Sequence, residues 1–203
     1  MYFHHNGQLA WISIAKNACT SWIQVFDALG WKKDNLYEPT VDIAQLKFFG
    51  FLRDPSKRHT MGVVEYLQRN QLLSLLYNNE FNSVLAAGVF DEHSYAVTHM
   101  IPDSIRNRTT FFIIDQEYYN YELLVQNFLE KHSVLISTPV PCLNSTELST
   151  REHRQKLSEI KQTDSEIHEH LIKNFLEPDT ILYAQHLKQQ NLWSKPGRGR
   201  RQT

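Results

Sequence analysis

The sequence predicts an α/β fold: a parallel sheet flanked by helices, with a C-terminal half that is mainly helical. Three observations carry that expectation. Short apolar runs recur at Leu9–Ile14, Phe48–Leu52 and Phe111–Ile114, and strands apolar on both faces are how buried parallel strands read. Segments with helical spacing and clear start signals stand between them. Beyond residue 119 the apolar runs give way to amphipathic and charged helical stretches. Strands alternating with helices imply a sheet covered on both faces.

Element by element, residues 2–5 and 9–14 read as strands joined at Asn6-Gly7, a strong hairpin dipeptide. Residues 19–29, CTSWIQVFDAL, set Trp22, Ile23, Phe26 and Leu29 at helical spacing, and Gly30 supplies the stop. Residues 31–46 are mixed and read as loop, with room for one helical turn. After the second apolar run, Asp54 as N-cap and Pro55 at the first helical position open a helix over most of 55–77. Residues 80–90 read as helix, 91–103 as a polar, His-bearing loop and 111–114 as a third buried strand. An amphipathic helix follows over 119–132, then a loop over 137–148 (Pro139, Pro141, Asn144). Ser149-Thr150-Arg151-Glu152 is a capping box that opens a charged helix to about residue 174. A last helix follows Pro178. No internal repeat is visible, so residues 1–190 read as one domain and 191–203 as a basic flexible tail.

Composition bounds the function. A chain of 203 residues with 41% hydrophobic and 21% charged residues is ordinary for a globular domain. Its net charge of −1 gives no reason to expect nucleic acid or an anionic membrane as partner. The tail is the exception: Lys195, Arg198, Arg200 and Arg201 stand there without an acid. Setting those four aside leaves 17 of the 21 basic residues against 22 acidic ones, so the body is acidic. Such a tail reads as a solvated, disordered end, or as an arm that attracts phosphate. The two cysteines, Cys19 and Cys142, make no disulfide framework, which favours a reducing compartment. No apolar run reaches membrane-spanning length and MYFHHNGQLA is no signal peptide. The expectation is a soluble cytoplasmic protein, in which the sequons at Asn107 and Asn144 carry no meaning.

Ligands of such sheets sit beyond the carboxyl ends of the strands. Ala15–Ser21 and Arg53 both fall there. Amides at a helix start welcome an anion, Lys16 adds a point charge, and Thr20 and Ser21 add hydroxyl donors. The sheet is in that sense P-loop-like, yet the turn is no Walker A motif: its Lys comes first, glycine is absent, and no metal-binding Asp ends a later strand. Arg53 offers a guanidinium fork to a second phosphate. Two phosphate-binding elements at neighbouring strand ends suit a nucleotide phosphorylated at two places. Each residue also has a plain reading: a solvated Lys beside an ordinary helix cap, and an Arg paired with a nearby acid.

Ala15-Lys16-Asn17-Ala18-Cys19-Thr20-Ser21-Trp22 and Arg53-Asp54-Pro55-Ser56-Lys57-Arg58 stand in the order strand, PKxxCTxW, helix, strand, RDPxxR, helix. That order resembles the sulfotransferases that use 3′-phosphoadenosine 5′-phosphosulfate (PAPS), and within them the carbohydrate branch of chondroitin and HNK-1 type. The six-residue step from Lys16 to Trp22 matches that branch. Asp91-Glu92-His93 resembles its downstream "EHW", Phe111–Asp115 its "FxxxE", and Phe175–Tyr183 its "YxxDxxLY". The resemblance runs from about residue 8 to 186. It implies that the backbone of Asn17, Ala18, Cys19, Thr20 and Ser21, with the Thr20 and Ser21 hydroxyls, holds the 5′-phosphosulfate. Lys16 would stabilise charge on the leaving 3′,5′-diphosphate, Trp22 would lie near the adenine, and Arg53 would bind the 3′-phosphate. The chain departs from the pattern at Ala15 (usually Pro), at Ala18 (usually Gly), and at Met61, eight residues after the Arg, where the family has Ser. A thioether donates nothing to phosphate; either Thr60 or Arg58 compensates, or the 3′-phosphate is held less tightly.

Sulfuryl transfer needs in-line geometry, stabilisation of the leaving phosphate and a base for the acceptor hydroxyl. His93 is the first choice for the base, since imidazole exchanges protons near working pH. Glu38 is its rival; His99 and His59 are weaker. No metal is expected, because His4-His5 and His168/His170 lack partners at ligand spacing and HExxH and CxxC are absent. The implied partners are a nucleotide and a hydroxyl-bearing acceptor, a sugar by resemblance. Two other readings remain: a non-catalytic nucleotide-binding module of the same fold, and a P-loop kinase, which the missing GK[ST] disfavours.

Overall fold

The computed structural model describes residues 1–4, 8–78, 94–115, 121–136, 140, 148–163, 165–171, 173 and 176–193. Their strands form one sheet: β1 (Tyr2–Phe3), β2 (Leu9–Ile12), β3 (Lys32–Lys33), β4 (Lys47–Leu52) and β5 (Thr109–Ile113), in the order β3-β1-β2-β4-β5. The sheet is mixed, not wholly parallel. β2, β4 and β5 run parallel, with Ile12 opposite Gly50 and Gly50 opposite Phe111, whereas β1 pairs antiparallel with both β2 and β3. The antiparallel edge follows from the hairpin, which the sequence does signal, although its turn at Asn6-Gly7 lies outside the described residues. β3 falls inside the expected 31–46 loop. Two exposed lysines carry no apolar pattern to reveal a strand, and they suit a solvent-facing edge.

Both faces of the sheet are covered. On one face Trp11, Phe49, Phe51 and Phe112 pack against Trp22, Val25 and Phe26 of α1 (Cys19–Ala28) and against Val125 and Leu129 of α5 (Tyr121–Glu130). On the other, Ala10, Ile12, Phe48, Phe111 and Ile113 meet Val97 of α3 (Val97–Met100), Ile105 of α4 (Asp103–Arg106), and Leu182 and Leu187 of α8 (Glu177–Trp193). Burial on both sides is why β4 is apolar at consecutive positions. Gly50 sits where the Phe111 ring lies 3.1 Å from a would-be Cβ, so any side chain there must displace that ring. At the β5 edge, Gln190 of α8 donates to the Ile113 carbonyl (3.2 Å) and accepts from its amide (2.7 Å), satisfying both backbone groups of that one edge residue.

Several helical bounds differ from expectation for local reasons. α2 (Pro55–Arg69) ends at Asn70, where Gln71 takes φ 59, and a 3-10 turn over Leu73–Tyr77 follows in place of a continuous helix. The 91–103 loop contains α3, which the amides of Val97 and Thr98 and the Thr98 hydroxyl tie to the Asp179 carboxylate at 2.7, 2.9 and 3.0 Å. That long-range cap is invisible locally. α6 (Leu148–Thr163) begins at Leu148, which puts Ser149 inside the helix, and α7 (Ser165–Leu171) follows as a separate element. A third apolar cluster joins Val63, Val64 and Leu67 of α2 to Leu157 of α6, Leu171 and Leu176. The expected helix over 80–90, His93, Cys142, Asn144 and the basic tail lie outside the described residues. No helix among the described residues is long and apolar enough to cross a membrane.

Candidate functional site

Two strand-to-helix turns stand side by side at the carboxyl ends of β2 and β4. The first, Ala15–Ala18, enters α1 with Lys16 at φ 65 and Ala18 at φ 59. The left-handed region strains any residue with a Cβ, by about 1–2 kcal/mol, so the position where the resembled motif has glycine does require a glycine-like backbone. Ala18 is the N-cap, and no side chain caps the helix. Its opening amides therefore face the turn without the usual side-chain acceptor.

Two buried side chains fix this turn to its neighbours. Asn17 donates from Nδ2 to the Phe51 carbonyl at 2.7 Å, fastening the turn to the end of β4. Arg58 donates from Nε to the Ala15 carbonyl at 3.1 Å and from Nη1 to the Tyr95 carbonyl, with Nη2 against Met100 Sδ at 3.4 Å. Burial weakens that guanidinium's hold on its proton, and the Asp179 carboxylate acts the other way. Trp22 is fully buried, stacked on Phe26 and tilted against Phe51. Its ring builds the core beneath the turn. Cys19 and Ser21 are half-buried, Thr20 is exposed, and Lys16 pairs with Glu65 of α2.

The second turn is built differently. Asp54 caps α2, accepting from the Lys57 amide at 2.9 Å, with Pro55 at the first helical position as the sequence predicts. Arg53 lies between an acid and a thioether: its Nε stands 3.2 Å from Asp115 Oδ1 and its Nη1 donates to Met61 Sδ at 2.9 Å. The residue eight positions after the Arg thus touches its guanidinium. Asp115, just past β5, also accepts from the Asp54 amide. Burial holds its carboxyl above the usual carboxylate range, while the Asp54 amide and Arg53 pull it back. Tyr183 of α8 is pushed up to about 12, first by burial and then by the Asp115 and Asp54 charges.

Thr60 turns away from this cluster. Its hydroxyl is buried, donates to the Ser56 carbonyl at 2.8 Å and accepts from Lys161 Nζ at 2.9 Å. Lys161 also lies 2.9 Å from Nδ1 of His59. Burial lowers this ammonium from 10.5 to about 7. Lys161 is the polar residue that sequence reasoning missed. A signal existed, since Lys161 follows Leu157 by four residues and shares its buried helical face, but a charged helix invites the reading of a solvated lysine.

Ile12 and Ser13, at the end of β2, open onto a cleft of about 470 Å3 whose walls include Asn35, Tyr37, Tyr95, His99 and Met100. Glu38 is exposed on the adjoining loop and does not line it. Among the described residues no group of three or more His, Cys, Asp or Glu side chains is placed to hold a metal ion. No protein family, no curated protein and no solved structure matches the chain.

Proposed function

We propose that the chain transfers a sulfuryl group from PAPS to a hydroxyl, with a sugar as the acceptor class, on a P-loop-like sheet. One observation carries the reading: an uncapped helix start with a lysine, and a strand-end arginine, lie on adjacent parallel strands and are tied together by Asn17 and Phe51. The backbone of residues 17–21, with Thr20 and Ser21, receives the 5′-phosphosulfate. Lys16 leaves Glu65 to stabilise the leaving phosphate, and Arg53 takes the 3′-phosphate. Trp22 supports this site from the core, and Thr60 serves the α2–α6 contact, because its hydroxyl is already committed.

A second reading, a non-catalytic nucleotide-binding module, draws on one specific feature. Both cations have acidic partners, Lys16 with Glu65 and Arg53 with Asp115, and Met61 supplies no donor. Incubation with labelled PAPS and a panel of glycans separates the two. Sulfate transfer that Lys16→Ala abolishes supports the enzyme; tight diphosphate binding without transfer to any acceptor supports the module. Preference for ATP with magnesium over the 3′,5′-diphosphate contradicts the sulfuryl-transfer reading and favours a P-loop kinase.

A further inference from the structure

We infer that Asp115 completes the Arg53 site as a carboxylic acid. It takes one proton from solvent when the 3′-phosphate reaches Arg53, and the new O–H donates the hydrogen bond that Met61 cannot. The inference rests on the nucleotide reading proposed above and adds a binding residue to it.

Position puts Asp115 where a donor is needed. It follows β5 as Arg53 follows β4, so the two leave adjacent parallel strand ends. Its Oδ1 stands 3.2 Å from Arg53 Nε, and its Oδ2 accepts from the Asp54 amide at the head of α2. The carboxylate thus fills the place of a ligand anion, between a guanidinium and a backbone amide. It fills that place poorly. Arg53 Nε is buried, yet no acceptor among the described residues meets it with hydrogen-bond geometry. Nη1 is spent on the Met61 thioether, a weak acceptor. A phosphate group, with three strongly accepting oxygens, satisfies the guanidinium fork better.

An ionised Asp115 beside a phosphate would be repelled, because its side chain is only 11% exposed and water screens it little. The Asp54 amide anchors Oδ2, so protonation at Oδ1 relieves the repulsion without moving the chain. Burial already favours the neutral acid. The Asp54 amide and the charges of Arg53 and Lys57 oppose it, and the Asp54 charge supports it. From α8, Tyr183 faces the same carboxylate as a neutral phenol. From α6, Arg154 feels the Arg53 charge and Lys161 the Asp54 charge. An arriving phosphate tips this balance towards the acid. Asp115 then holds the Asp54 amide with one oxygen and gives its proton, as a hydrogen bond, to the phosphate with the other.

The test is calorimetry on the full chain, on Asp115→Asn and on Asp115→Ala, with adenosine 3′,5′-bisphosphate and with AMP. Buffers of different ionisation heat report the protons exchanged. Asn carries an amide donor and no charge, so it copies the protonated acid, whereas Ala removes charge and donor together. Between about pH 8 and about pH 5.5 the wild type should take up more protons on binding the bisphosphate than Asp115→Asn does. At the alkaline end Asp115→Asn should bind about tenfold tighter than wild type, and the gap should close as pH falls. Comparing chains at each pH cancels the titration of the phosphate itself. Asp115→Ala should bind about tenfold more weakly than Asp115→Asn, and AMP should show none of these differences. Equal proton exchange in wild type and Asp115→Asn, or equal affinity of the Asn and Ala chains, overturns the inference; a preference for the bisphosphate over AMP then leaves the nucleotide reading standing. If a variant does not fold, the wild type alone decides: uptake with the bisphosphate no greater than with AMP overturns the inference. A wild-type chain that binds neither nucleotide removes both readings.

Discussion

The turns after β2 and β4 are neighbours built to opposite plans. The turn into α2 is closed: Asp54 caps the helix, Pro55 removes one amide, and Asp115 engages both the Asp54 amide and Arg53. The turn into α1 is open: Ala18 holds a left-handed backbone, offers no oxygen, and leaves the helix start facing outward. A fold seeking stability alone would cap both, since a cap is worth about 1 kcal/mol. Keeping one uncapped and strained, beside a lysine, is what an anion-binding turn requires. In the proposed clamp the capped turn contributes the Arg53 side chain instead.

The strongest way to break this contrast is to close the open turn. Ala18→Asp places a carboxylate at the opening amides of α1 and should weaken adenosine 3′,5′-bisphosphate binding about a hundredfold by calorimetry, with folding intact. Unchanged affinity would show that the anion does not sit there.

Next is the buried amine between the two helices. Lys161 has a folded-state value of about 7 against 10.5 unfolded, so the unfolded chain binds more protons between those limits. Stability should therefore rise as pH climbs from about 7 towards 10. Lys161→Met should flatten that rise, as read from urea midpoints across the interval, and should lower stability at the alkaline end by about 1–3 kcal/mol because Thr60 and His59 lose a buried partner. A wild-type curve flat over that interval would contradict a buried, uncharged-leaning Lys161.

Met61→Ser sharpens the contrast at Arg53. It replaces a thioether in contact with the guanidinium by a hydroxyl donor, and one hydrogen bond to a charged group is worth about 1.5 kcal/mol or more. Affinity for the 3′,5′-bisphosphate should rise about tenfold, with AMP unaffected. Equal changes for both nucleotides would remove the 3′-phosphate from Arg53.

The smallest effect is at the closed turn itself. Asp54→Ala should lower stability by about 1 kcal/mol in thermal unfolding, with a much smaller effect on nucleotide affinity than Ala18→Asp.

The parts legible in the sequence were those fixed by short-range chemistry. The runs at 48–52 and 111–114 gave buried parallel strands, Asp54-Pro55 gave a capped helix, and Trp22 with Phe26 gave the buried face of α1. The sequence also put the two turns at neighbouring strand ends. What it hid depends on contacts distant along the chain. Nothing near Lys32–Lys33 signals an edge strand, because only pairing with β1 makes one. Nothing local shows that Asp179 caps α3, that Asp115 offsets Arg53, or that Lys161 is buried against His59 and Thr60. The Thr60 hydroxyl reads as a phosphate donor until α6 packs over it.

The clamp is tested most directly by calorimetric titration of the wild-type chain, Arg53→Ala and Lys16→Ala, each with adenosine 3′,5′-bisphosphate and with AMP. The account predicts that Arg53→Ala weakens only the bisphosphate, bringing it near the AMP affinity, whereas Lys16→Ala weakens both. If the wild-type chain binds neither nucleotide, or if Arg53→Ala weakens both equally, the two turns do not hold the two ends of one nucleotide.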